Sequence, residues 1–140
     1  MAYLIKRINK KEKFLAEKLL LIENSTKFFL WDLYSFKVEL RKKRLKCFVA
    51  IEEKNIIGFI LFQRRGKKVH VFNIAIHPSH KRKGIGKALM NKIKNKNIIL
   101  EVDMRNLEAI KFYYNLGFVV IGKKINYYGK ELGAYVMEKK

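Results

Sequence analysis

His77-Pro-Ser-His-Lys-Arg-Lys-Gly-Ile-Gly-Lys-Ala-Leu-Met90 follows an apolar run, Val69 to Ile76, and leads into an amphipathic segment. A β-rich run that stops at Pro78, crosses a basic glycine loop and enters a helix leaves several backbone N–H groups without carbonyl partners, all pointing one way. Such a turn is an anion cradle. Gly84 and Gly86 are expected to let the backbone approach a pyrophosphate closely, while the helix N-terminus adds partial positive charge. An ordinary strand-to-helix turn uses glycines in the same way, so the surrounding chain decides between the two.

Upstream, Lys46 to Glu52 and Ile56 to Arg65 are β-rich runs separated by Glu53-Lys54-Asn55, which is hairpin chemistry, and Val69 to Ile76 follows Gly66-Lys67-Lys68 as the third strand of a meander. Ala2 to Ile8 reads as a first strand, after which Asn9 and Glu12 suit the cap and N3 positions of a helix carrying Leu15, Leu19 and Ile22 inward. Beyond Asn24-Ser25-Thr26 a second helical piece is expected to carry Phe28, Phe29, Trp31, Leu33 and Phe36, with Arg41 to Arg44 complementing its C-terminus.

Downstream of the cradle, Ile85, Ala88, Leu89 and Ile93 share one helical face, and Ile98 to Val102 is short and apolar enough for a buried strand. Strand, helix, strand predicts a parallel pair. Asn106 is a good N-cap and Gly117 a good C′ residue for a helix whose inner face is Ala109, Phe112, Tyr113 and Leu116. Phe118 to Ile125 and Leu132 to Met137 complete a strand pair. The expected fold is a single mixed α/β domain over residues 1–140, with a central, largely antiparallel sheet and one splayed parallel pair.

The 140 residues are nearly half apolar, which suffices for a core. The one cysteine, Cys47, excludes an internal disulfide and reads as a core residue in Cys47-Phe-Val-Ala-Ile51. No metal is expected, because His77 and His80 lack further ligands nearby. No apolar run reaches the length of a membrane span, and the first residues are too short an apolar stretch for a signal peptide, so a cytoplasmic protein without membrane contact is expected. With 32 Lys and Arg against 12 Asp and Glu, the formal charge of +20 favours acidic or phosphate-rich partners and disfavours polycations.

Lys81-Arg82-Lys83-Gly84-Ile85-Gly86 resembles the acyl-CoA signature of the GNAT superfamily of N-acetyltransferases, Arg/Gln-x-x-Gly-x-Gly/Ala, with Lys81 in place of the usual first residue. Phe72-Asn-Ile-Ala-Ile-His-Pro78, Leu100-Glu-Val-Asp-Met-Arg-Asn106, Ala109 to Phe118 and Asn126-Tyr-Tyr128 extend the likeness, which is greatest to the RimI-type branch that acetylates protein N-termini. The resemblance implies acetyl-CoA as co-substrate, its pyrophosphate on Lys81, Arg82, Lys83, Gly84, Ile85, Gly86 and Lys87. Its pantetheine arm would lie along Ile74, Ala75 and Ile76, whose amides are candidates for the oxyanion donor, and Asn106 would bond the arm as well as cap its helix.

By motif position Glu101 corresponds to the general base and Tyr113 to the general acid. An ordinary phenol, titrating near 10, is protonated at neutral pH as a donor to a thiolate must be. Tyr127 and Tyr128 look like the pair that holds an acceptor peptide's backbone, and Phe29 or Trp31 would wall the acceptor groove. The plainer reading makes Glu101 a solvent-reaching strand residue and Tyr113, Phe29 and Trp31 core. The implied acceptor is a protein or peptide N-terminus, a ribosomal protein being one candidate. Two other functions share these features: acetylation of a small amine, disfavoured by the repulsion of polycations, and a non-catalytic RNA- or ribosome-binding module, suggested by the charge but by no nucleic-acid motif.

Overall fold

The computed structural model describes residues 3–94 and 97–140. Seven strands form one sheet in the order β1-β2-β3-β4-β5-β7-β6. They are β1 (Leu4–Arg7), β2 (Lys46–Glu52), β3 (Asn55–Arg65), β4 (Lys68–Ile76), β5 (Asn97–Asp103), β6 (Val119–Lys124) and β7 (Ala134–Lys139). All neighbours are antiparallel except β4 and β5, the pair that the strand-helix-strand order predicts. Ala2, expected to open the first strand, lies outside the described residues.

Both faces of the sheet are covered. Helices α1 (Leu15–Asn24) and α2 (Leu33–Leu40) pack Leu15, Leu19, Ile22 and Phe36 on Cys47, Val49, Phe59 and Leu61. On the other face α3 (Ile85–Met90) and α4 (Leu107–Asn115) set Ile85, Leu89 and Tyr113 against Ile60, Val71, Leu100 and Met137. Cys47 is core, as expected, and its burial pushes the thiol up to about 12.

Three local expectations are corrected. Asn9 does not cap α1: its side chain accepts from the Lys11 N–H at 2.9 Å, closing a turn of its own, and the helix starts only after Phe14 in a left-handed conformation (φ 61°). Phe28, Phe29 and Trp31 lie in the loop between helices, because the buried Glu23 carboxylate takes the Leu30 and Trp31 N–H groups, each at 2.9 Å. The second helix starts instead behind Asp32, which caps the Ser35 N–H at 2.8 Å. Helix α3 ends at Met90, so Ile93 is buried from the turn beyond it.

The parallel pair is short for a topological reason. Pairing between β4 and β5 runs only from Lys68 and Asn97 to Val71 and Leu100. Further along, β4 stays with β3 as far as Ile76, while β5 stays with β7 as far as Asp103. Each strand follows its antiparallel neighbour and the sheet opens between Phe72 and Glu101.

Candidate active site

The cradle enters that opening from the end of β4. A 3₁₀ turn, Pro78–His80, is pinned by a chain of polar contacts: His77 Nδ1 and Ser79 Oγ at 2.7 Å, Ser79 Oγ and His80 Nδ1 at 2.9 Å, His80 Nε2 and Glu52 Oε1 at 3.1 Å. Arg82 (φ 63°) and Gly84 (φ 78°) then turn left-handed, a concave arrangement of successive N–H groups that suits anions. The first helical bond of α3 runs from the Ala88 N–H to the Gly84 carbonyl. Helix geometry therefore leaves the Ile85, Gly86 and Lys87 N–H groups without a carbonyl inside the helix.

The two glycines have different tasks. A Cβ on Gly84 would meet nothing within 4 Å, so the space above the loop is open to a ligand. A Cβ on Gly86 would lie 2.9 Å from the Phe112 ring. Gly86 is thus the point where α3 and α4 touch. Part of the loop's charge is already engaged, since Lys81 Nζ pairs with Glu108 on α4 at 2.7 Å.

A second hollow, about 630 Å³, opens beside the divergence of β4 and β5. The α1–α2 loop forms one wall through Lys27 to Trp31, the β6–β7 loop supplies Tyr127, Tyr128 and Leu132, and Phe72, Glu101 and Asp103 complete it. Phe29 and Trp31 therefore do line the groove, from a loop rather than from a helix. Trp31 packs edge-on against the buried Phe36, which packs in turn on Phe59, so the wall is anchored in the core.

Glu101 lies inside β5, not at its end, and it is the centre of a charged network. His70 Nε2 is 2.7 Å from its Oε1, Lys124 Nζ is 3.1 Å from its Oε2, and the Tyr127 hydroxyl reaches Oε1 at 3.5 Å. Burial alone would raise its pKa, but the hydrogen bonds and charges of His70 and Lys124 outweigh burial and hold the carboxyl below its usual range. Asp103 is also held low, chiefly by the Arg105 guanidinium, which grips it at 3.0 and 2.8 Å.

Tyr113 is buried in α4 between the rings of Phe112 and Phe118, and burial pushes its phenol up. Tyr128 is raised too, by burial first and then by Tyr127, Glu101, Asp103 and Tyr113, whose charges all act on it. Asn106 caps α4 by accepting from the Ala109 N–H at 3.2 Å. Gly117 (φ 98°) closes the same helix, with its N–H on the Tyr114 carbonyl and that of Phe118 on Tyr113.

Two site residues escaped the sequence reading. His70 had one available signal, a histidine in an otherwise apolar strand run. Glu23 had another, an acidic residue in the last turn of an apolar helix, where the macrodipole disfavours it.

A sheet split by one short parallel pair, with a glycine-loop cradle at the split and an acidic, aromatic groove beside it, defines an acyl-CoA-dependent transferase. Residues 43–120 match the acetyltransferase (GNAT) domain family, and the chain belongs to it. It is an N-acetyltransferase with acetyl-CoA as acyl donor. It is 31% identical over 123 residues, 84% of each chain, to the [ribosomal protein bS18]-alanine N-acetyltransferase of Haemophilus influenzae. It is also 31% identical over 124 residues, 74% of each chain, to an N-alpha-acetyltransferase of Saccharolobus solfataricus. The crystal structure of the ribosomal-protein-S18-alanine N-acetyltransferase of Escherichia coli superposes with a TM-score of 0.83 at 25% identity, covering 99% of this chain and 93% of that one.

Proposed function

We propose that the chain acetylates the α-amino group of protein or peptide N-termini by direct transfer, with the His70–Glu101 pair accepting the amine's proton and Tyr113 protonating the leaving thiolate. The observation that carries this reading is the 2.7 Å contact of His70 with Glu101 on the groove floor where β4 and β5 part. A carboxylate held in its ionised form is a weak base by itself, but it orients an adjacent imidazole and stabilises the imidazolium that proton uptake creates. His70 is then the proton acceptor and Glu101 its partner.

The same geometry supports a set of cofactor contacts. The N–H groups of Arg82 to Lys87 would hold the pyrophosphate, the open edge of β4 at Ile74 to Ile76 would pair with the pantetheine arm, and the Asn106 amide would bond it. When bound, acetyl-CoA supplies the thioester carbonyl that the amine attacks. One C–N bond forms and one C–S bond breaks, His70 takes a proton from the amine, and Tyr113 gives one to sulfur. Amides near Ile74 to Ile76 would receive the negative charge that develops on oxygen.

The acceptor class rests on magnitudes and on relatives. An α-amine ordinarily titrates near 8 and a lysine near 10.4, so freeing the lysine nitrogen at neutral pH costs about 3 kcal/mol more. Tyr127 and Tyr128 on one wall and Phe29 and Trp31 on the other would grip the first residues of a chain end. The Haemophilus relative's name makes a ribosomal protein a natural first acceptor to try. The test is mass spectrometry of a peptide library after incubation with the protein and acetyl-CoA. α-Acetylated N-termini are expected, and acetylation confined to lysine side chains or to small amines would overturn the assignment.

A further inference from the structure

At the far end of the α1–α2 pair from the acceptor groove lies a separate hollow of about 820 Å³, between the β1–α1 turn and the α2–β2 turn. Seven lysines and arginines line it against two carboxylates. Those carboxylates are already matched, Glu12 by Lys18 at 3.3 Å and Glu17 by Lys37 at 3.8 Å. Among the described residues no carboxylate lies within ion-pair distance of Arg7, Lys11, Arg41, Lys43 or Lys46. Lys10 is crowded from the same side: burial and the charge of Arg7 lower its pKa, and its ammonium donates to the Lys42 and Lys43 carbonyls in the turn beyond α2. The patch collects positive charge and leaves most of it without a counter-charge.

Phe14 lines the same hollow. The residue is 59% exposed, its backbone is left-handed, and the Lys13 ammonium lies 5.2 Å from the ring centroid. An exposed ring flanked by unpaired cations combines the two elements of single-strand recognition, a π-face for an unstacked base and a positive track for the phosphates. An acidic peptide would use the cations but has no need of the ring. Duplex RNA keeps its bases stacked away from it.

We propose that this corner of the molecule binds single-stranded RNA, with Phe14 as the stacking platform and Arg7, Lys11, Arg41, Lys43 and Lys46 as phosphate contacts. The ten residues of α1 put it about 15 Å from the acceptor groove, at 1.5 Å of rise per residue. That exceeds the Debye length of about 8 Å at physiological salt, so the charge of the patch is screened from the groove. RNA held there would carry the enzyme to acceptors that are themselves bound to RNA.

The test is fluorescence anisotropy with a labelled 12-nucleotide uridine RNA, alongside a labelled polyglutamate peptide of equal charge, over a series of salt concentrations. Arg41→Glu with Lys43→Glu should weaken RNA binding at least about tenfold and flatten its salt dependence. Lys67→Glu with Lys140→Glu, which changes the net charge equally at distant sites, should cost less than about threefold. Phe14→Asn keeps a residue that tolerates the left-handed backbone and should cost RNA several-fold while leaving polyglutamate binding unchanged. Acetylation of a short peptide should be the same in all four proteins. Equal losses in the two charge-reversal pairs would make the attraction diffuse and overturn the proposal. So would RNA binding that ignores Phe14→Asn, or polyglutamate binding as tight as RNA, which would make the surface a dock for acidic protein.

Discussion

Asn73 donates its side-chain N–H to Glu23 at 3.0 Å, tying the last turn of α1 to the middle of β4 across fifty residues of sequence. The same carboxylate oxygen accepts from Leu30 and Trp31, so one buried group joins the loop that walls the groove to the strand proposed to carry the cofactor. Removing it in Glu23→Ala strands three donors, and an unsatisfied buried donor costs about 1–3 kcal/mol, so a loss of at least about 2 kcal/mol is expected in urea unfolding. Glu23→Gln keeps an acceptor and should cost less. Burial raises the Glu23 pKa above its ordinary 4.5. A raised carboxyl contributes stability below the unfolded pKa and loses it as pH rises through the folded one. The stability of Glu23→Gln relative to wild type should therefore improve as pH rises from about 4.5. A difference that stays flat with pH would show that the carboxyl is not shifted upward.

The opposite sign applies to Glu101. Its pKa is lowered, so its ionised form persists above the ordinary 4.5 and is lost only as pH falls through a lower value. An acid limb of kcat/KM between about pH 5 and 8 then does not belong to Glu101. His70→Gln should lower kcat by about 10²-fold or more. Glu101→Gln should also lower kcat, because the imidazolium that proton uptake creates loses its carboxylate partner. Undiminished turnover in His70→Gln would exclude His70 as the base. Tyr113→Phe should lower kcat with CoA affinity unchanged, since it removes a proton donor and almost no volume.

The glycine pair can be separated by experiment. Gly86→Ala drives a methyl into the Phe112 ring, and overpacking of this kind costs about 1–3 kcal/mol. Its melting temperature should fall, Phe112→Leu should restore part of the loss, and CoA should still bind the folded fraction. Gly84→Val meets no atom but must hold φ 78° and would project into the open cradle. CoA affinity measured by calorimetry should drop at least about tenfold while stability falls by about 1–2 kcal/mol, the cost of a left-handed residue with a Cβ. Matching CoA affinities for Gly84→Val and wild type would put the pyrophosphate elsewhere.

These residues also mark what was legible in the chain. Strands, cradle and parallel pair follow from local signals: apolar runs, the stop at Pro78, the left-handed Gly84 and the caps Asn106 and Gly117. The His70–Glu101 contact does not, because the register of two parallel strands joined by a helix is fixed by packing across both sheet faces. Helical spacing of Phe28, Trp31 and Phe36 misled because a remote carboxylate, Glu23, competes for the loop's amides. The packing task of Gly86 was hidden for a related reason: its neighbour, Phe112, comes from another helix.

Charge in the groove makes the final prediction. Asp103 is gripped by Arg105, and Glu101 is shared by His70 and Lys124, which leaves Lys27 as the cation on the groove wall without a matched carboxylate within ion-pair distance among the described residues. The net field at the mouth is thus about one positive charge, far less than the +20 of the whole chain, most of which lies elsewhere. A unit charge about 7 Å from a substrate charge contributes about 0.6 kcal/mol in water. Exchanging Lys for Asp just after the acetylated residue should then change kcat/KM by about 1.2 kcal/mol, or about sevenfold, in favour of Asp at low salt. Near 1 M salt the Debye length shrinks to about 3 Å and the preference should disappear. Peptides differing only at their second and third residues, assayed at both salt levels, test this. Lys27→Ala should remove most of the preference, and a preference for lysine peptides would place an unmatched carboxylate at the mouth instead.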